Sequence, residues 1–196
     1  MMDALNRKRI WYVLAVAGTA VAVKAFSSTS SVNDLLWILA PTAGLVELVT
    51  RSGFEFESYA GYMNRDKTFL IAASCSGINF LVTSFLMLAY GSLIRAPGRI
   101  PKWSWIPVTA AAAYLTTIIA NTVRISTALR IQQVPAETGL ISEAQAHRLE
   151  GIVVYFGFLV LLYYVSGLSQ IGRRDGEQTS WSSIKSLLIP LAFYYS

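Results

Sequence analysis

The chain has 196 residues, the length of one ordinary domain, yet 54% of them are hydrophobic and only 14% are charged. A water-soluble domain carries roughly 45–50% apolar and about 25% charged residues, so this composition excludes a soluble globular protein and points to a bilayer. The net charge of +5 comes without a basic stripe interleaved with aromatics, which sets nucleic acid aside; one cysteine and one histidine exclude an internal disulfide and the multi-cysteine metal patterns, and neither a metal nor a cofactor is expected.

In chain order, the first span covers residues 10–26, with Lys24 near enough to its end to snorkel toward headgroups, and it lacks the small-residue cleavage site of a signal peptide. A polar stretch, 27–34, follows. Residues 35–50 are apolar but contain Pro41 and Glu47, so they form either a short kinked span or a re-entrant one. Residues 51–68 alternate aromatic and charged side chains. Phe54 to Glu57 within them has the period of a strand, suited to a loop on the bilayer surface.

The third span, 69–94, has no charged residue and exceeds the roughly 18 needed to cross about 30 Å of hydrocarbon. A turn rich in Pro, Gly and basic residues, 95–102, ends it. Trp103 and Trp105 mark an interface, and a fourth span runs to about Val123. Residues 125–148 read as a polar connector, with Ser142 as a plausible helix start. The fifth span is 151–171, and the apolar stretch 184–195 is short for a span. The expected fold is all-α: a polytopic integral membrane helix bundle of five or six hydrophobic segments, forming one transmembrane domain over 1–196 with outer-face loops at about 51–68 and 125–146.

The basic clusters Arg7-Lys8-Arg9, Arg95/Arg99/Lys102 and Arg173-Arg174 lie at segment ends, where Lys and Arg favour the cytoplasm. With the second and third clusters inside, Cys75, Arg124 and His147 all fall near the opposite face, at the ends of antiparallel neighbours. Two full spans after an inside N-terminus would instead put Cys75 inside. Either residues 35–50 dip in and out around Pro41, or the N-terminus is outside.

Ionisable groups at membrane depth are functional candidates. Cys75 lies among small polar residues in Ser74-Cys75-Ser76-Gly77, a setting equally suited to inert helix packing. Arg124 sits three residues after Asn121, on one helical face, and its rigid fork of donors can hold an oxyanion or simply anchor the helix at the interface. His147 at a helix start can exchange a proton near neutral pH or merely face solvent. Together they read as acyl transfer: Cys75 attacks a peptide carbonyl, His147 shuttles the proton to the leaving amine, and Arg124 stabilises the tetrahedral oxyanion.

The ordered motifs Ser74-Cys75-Ser-Gly77-Ile-Asn-Phe, Asn121-x-x-Arg124-Ile and His147-x-x-x-Gly151 resemble the exosortase/archaeosortase family of membrane transpeptidases. With Leu36-Trp-Ile-Leu-Ala-Pro41-Thr and Gly61-Tyr-Met-Asn64 upstream, the chain is most similar to the K-type exosortases over residues 35–165. The resemblance implies a multi-pass enzyme of the bacterial inner membrane, active near the periplasmic face. Its partners would be membrane-anchored proteins whose C-terminal sorting signal comprises a motif, a transmembrane helix and a basic cluster. It implies a thioester on the cysteine and transfer to an acceptor, with Cys75, Arg124 and His147 as catalytic positions and Asn121 in support. Fewer spans than in larger members leave the substrate-docking surface undefined.

The alternative is a non-catalytic small transporter or assembly subunit in which Glu47, Arg124 and His147 line an intramembrane polar path. The aromatic loop 54–62 is a candidate cover for the site or an ordinary interfacial loop.

Overall fold

The computed structural model describes the backbone of residues 2–95, 102–132 and 143–171 and the side chains of 6–94, 102–131 and 149–167. Along the chain run helix α1 (Met2–Thr29), a 3-10 turn (Asn33–Leu35), helix α2 (Leu36–Thr50) and strands β1 (Phe54–Glu57), β2 (Gly61–Asn64) and β3 (Leu70–Ile71). A second 3-10 turn (Ala73–Cys75) and helices α3 (Ile78–Arg95), α4 (Trp105–Gln132) and α5 (Glu143–Ile171) complete it. Among the described residues four segments are long and apolar enough to cross a membrane: Asn6–Thr29, Ala73–Ile94, Trp105–Ile131 and Leu149–Gly167. The protein is therefore the polytopic helical membrane protein that its hydropathy predicts.

Helix α2 is not among those four. At 15 residues it reaches about 22 Å, short of a hydrocarbon core of about 30 Å. The predicted segment 184–195 and the turn at 96–101 lie outside the described residues.

Three boundaries differ from the sequence expectation. The apolar run from residue 69 is not one helix, because Leu70–Ile71 pair as a strand and Cys75 ends a 3-10 turn before α3 begins at Ile78. Helix α4 passes Arg124 by two turns and ends at Gln132. Within it the buried Thr122 hydroxyl donates to the Ile118 carbonyl one turn earlier, which satisfies the hydroxyl where water is scarce. Residues 125–132 thus belong to a helix rather than a connector. The polar stretch after Phe26 also shortens, since α1 continues to Thr29.

The chain forms two compact units. One comprises Met1–Phe26, Ile78–Leu115 and Leu159–Ser196, and the other Ser27–Gly77 and Thr116–Phe158. In the first, Tyr12, Val16, Phe80 and Ala113 are buried. The Tyr12 ring meets Trp103 with centroids 6.3 Å apart, and the Tyr90 hydroxyl donates to the Val13 carbonyl at 3.3 Å. Lys24, expected to reach for headgroups, donates to the Asn79 side-chain oxygen instead. On α1, Ile10, Trp11, Leu14, Val21 and Phe26 are exposed, an apolar surface suited to lipid.

The second unit carries α2, the sheet, the second 3-10 turn and the facing halves of α4 and α5. Its core includes Ile38, Leu39, Val46, Ile71 and Ile125. Helix α2 stops at Arg51, which adopts a left-handed conformation (φ 58°) and donates its N–H to the Glu47 carbonyl at 2.8 Å. Three antiparallel strands follow in the order β1-β2-β3, with Glu55 opposite Met63 and Tyr62 opposite Ile71. Of this sheet the alternation of residues 54–57 predicted only β1. Gly61 is required in β2: its φ is +127°, and a Cβ there would run into the Ile71 carbonyl oxygen. Asn64 closes the β2–β3 turn by accepting from the Thr68 and Phe69 N–H groups at 2.8 and 2.9 Å.

Candidate active site

Cys75 ends the second 3-10 turn, half-buried, with its N–H donated to the Ala72 carbonyl at 2.9 Å. Two residues later the backbone reverses through Gly77 (φ +72°), a conformation that side chains with a Cβ disfavour. Packing imposes the same choice, because a Cβ at Gly77 would lie 3.2 Å from both the Asn121 amide nitrogen and the Thr117 methyl. The turn that presents the cysteine is thus pressed against α4.

Asn121, Arg124 and Tyr155 hold that contact. Asn121 is completely buried, and its amide donates to the backbone carbonyl of Cys75. The Tyr155 hydroxyl donates to the Asn121 side-chain oxygen at 2.7 Å, while Arg124 Nη1 donates to the same hydroxyl at 3.3 Å. A hydroxyl has one proton and two lone pairs. Having given its proton to Asn121, Tyr155 faces Arg124 as an acceptor. Donation therefore runs in one direction, from the guanidinium through the phenol and the amide to the carbonyl of Cys75. The arginine carbon also stands 5.5 Å from the Tyr155 ring centroid, within reach of cation–π attraction.

The guanidinium interacts electrostatically with Cys75, Tyr155 and Glu150. Glu150 is half-buried, and both its carboxylate oxygens are shielded from solvent. Gly151 makes room for the arginine, since a Cβ there would be 3.1 Å from Arg124 Nε.

His147 lies in α5, one helical turn before Gly151; its side chain lies outside the described residues. Spacings of three, four and eight residues place positions 147, 150, 151 and 155 on one helical stripe. The sequence reading missed Tyr155, a partner of both Asn121 and Arg124. The available signal was its place on the same stripe as His147 and Gly151. Glu47, a candidate for a polar path, accepts the Phe54 N–H and so ties α2 to the start of β1.

Cys75, Asn121 and Arg124 therefore belong to one polar cluster built from the connector before α3 and the faces of α4 and α5. A cysteine and a guanidinium held in one cluster suit nucleophilic attack with charge stabilisation. No curated protein and no solved structure matches the chain. The family model described as transmembrane exosortase (Exosortase_EpsH) matches residues 7–164, a stretch that contains every residue of this cluster, and the chain belongs to the transmembrane exosortase family.

Proposed function

We propose that the protein is a membrane-embedded cysteine transpeptidase, nearest the K-type exosortases, that cleaves the C-terminal sorting signal of membrane-anchored proteins and transfers the acyl group to an acceptor at the outer face. The observation that carries this reading is the donation of the Asn121 amide to the Cys75 carbonyl inside the cluster that holds Arg124.

In this reading the Cys75 Sγ attacks the scissile carbonyl carbon, forming a C–S bond while charge collects on the oxygen beside Arg124. The C–N bond breaks, and the proton from the thiol passes through His147 to the departing amine. The acceptor then attacks the thioester. Its proton returns through His147 to the sulfur as the C–S bond breaks, which regenerates the thiol. A substrate anchored by its own helix presents its cleavage site at a fixed depth, so the nucleophile has to wait at that depth.

A count of the spans supports placing the site at the outer face of a bacterial inner membrane. With α2 not crossing, four crossings in chain order bring Arg7-Lys8-Arg9, the 95–102 turn and Arg173-Arg174 to one side and the Cys75 cluster to the other. Positive charge favours the cytoplasm for the first side.

The test is co-expression with proteins that end in a motif, a transmembrane helix and a basic cluster. The wild-type chain processes such a substrate and gives an adduct on Cys75 that hydroxylamine removes, and Cys75→Ala, Arg124→Ala and His147→Ala each abolish processing while the protein still inserts. Processing that survives Cys75→Ala would refute the proposal and favour a non-catalytic membrane protein.

A further inference from the structure

The three-stranded sheet leads straight into the turn that carries Cys75, and of its two edge strands only β3 adjoins that turn. Arg65 donates its N–H to the Gly53 carbonyl at 3.2 Å, so hydrogen-bonded pairs alternate along β1 and β2 and the main-chain groups of Phe54 point away from the sheet. There Glu47 takes the Phe54 N–H, which closes the start of that edge. At the other side Asn64 donates to the Phe69 carbonyl at 3.0 Å. The same alternation makes Leu70 and Met63 a non-hydrogen-bonded pair. The N–H and C=O of Leu70 therefore point outward from β3, and no partner for them occurs among the described residues. Leu70 is exposed (36%) while its neighbour Ile71 is fully buried. Ala72 continues in extended conformation (φ −82°, ψ 174°) to the 3-10 turn, so the open edge ends five residues from Cys75 at its most distant point.

We propose that the segment of the substrate preceding its C-terminal helix binds as an added strand on the outer edge of β3, hydrogen-bonded to the main chain of Leu70 and delivered along Ala72 to Cys75. This rests on the reading of Cys75 as the nucleophile. An extended peptide satisfies the edge through its own backbone, and an exposed edge left without a partner at a membrane surface is a liability that proteins otherwise cover. The β3 edge is followed by extended Ala72 and then by the 3-10 turn that ends at the cysteine. The β1 edge, on the opposite side of the sheet, is closed only at the Phe54 N–H, and the Phe56 main-chain groups point outward there, but that edge does not lead to Cys75. The fit is to main chain, with side chains on alternate substrate positions directed to one face.

The experiment uses the full chain carrying Cys75→Ala and Leu70→Cys, together with a cysteine-free reporter that the wild-type protein processes. Single cysteines are moved one position at a time through the reporter segment ahead of its helix. Strand addition gives cross-links to Leu70→Cys at every second position, with the positions between at least about fivefold weaker, because alternate side chains face away. No cross-links, or a three-to-four-residue periodicity, overturns the proposal and leaves the nucleophile assignment standing, since that reporter is already known to be processed. Cross-linking of Leu70→Cys to a second copy of the chain without reporter also overturns it. In the Cys75-containing protein, Leu70→Pro removes the outward N–H and lowers processing about tenfold relative to Leu70→Ala, which keeps both main-chain groups. Equal activity of the two variants counts against the added strand. Processing that survives Cys75→Ala alone identifies failure of the nucleophile assignment instead.

Discussion

The Asn121 amide donates to the backbone carbonyl of Cys75, a residue 46 positions earlier in the chain. This bond fixes the main chain of the cysteine rather than its sulfur, and the Tyr155 hydroxyl in turn fixes the amide. Replacing Asn121 with Ala leaves a buried hydroxyl and a carbonyl short of a partner, at about 1–3 kcal/mol. Loss of aim at the sulfur lowers processing by at least about tenfold, because a shift near 1 Å can cost about a hundredfold. Asn121→Asp still accepts from Tyr155 but cannot donate to the Cys75 carbonyl, so it fails to restore activity. Processing assays alongside thermal unfolding in detergent check both outcomes.

Tyr155 touches Arg124 in two ways, through its hydroxyl and through its ring. Tyr155→Phe keeps the ring and removes the hydroxyl, so turnover falls severalfold while substrate capture stays near wild type; a fall in capture with unchanged turnover would contradict the positioning role. Arg124→Lys keeps the charge but loses the planar fork, and its activity stays close to that of Arg124→Ala.

Gly151 is placed where a methyl group would press on Arg124 Nε at 3.1 Å. Gly151→Ala shifts the guanidinium by a few tenths of an ångström and lowers processing several-fold. Gly151→Val lowers it further, at little change in membrane insertion. Equal activity of the three proteins would show that the arginine tolerates displacement.

The Gly77→Ala change meets both a positive φ and the Asn121 and Thr117 side chains. It lowers stability by about 1–2 kcal/mol from backbone strain alone. Pushing the turn off α4 exposes the half-buried Cys75, so the same change quickens its labelling by maleimide, and thermal unfolding with timed labelling reads the two effects separately.

Glu47 accepts the Phe54 N–H and joins α2 to the sheet. Glu47→Gln keeps the shape but replaces a charged acceptor with a neutral one, a loss of about 1 kcal/mol. Glu47→Ala removes the tie altogether. Limited proteolysis of residues 51–68 should quicken in the order wild type, Gln, Ala; the same rate in all three would mean that the sheet is held by its core alone.

Hydropathy by itself determined that this chain is helical and crosses a membrane, since uncharged runs of sufficient length have no other stable home than a bilayer. The order and spacing of the motifs around Cys75, Asn121, Arg124 and His147 likewise selected the family, and the two-residue period of Phe54 to Glu57 marked one strand. What only the tertiary structure decided was everything that depends on pairing between distant segments. Leu70 and Ile71 look like helix because an apolar run has the same composition in either state, and only pairing with β2 makes them a strand. Arg124 reads as a helix end because charge usually marks an interface, yet Tyr155 supplies a partner that lets α4 continue past it. Tyr155 itself carries no local signal, as an aromatic in an apolar helix most often packs. Its role exists only because folding brings its hydroxyl to Asn121 and Arg124, 34 and 31 positions away.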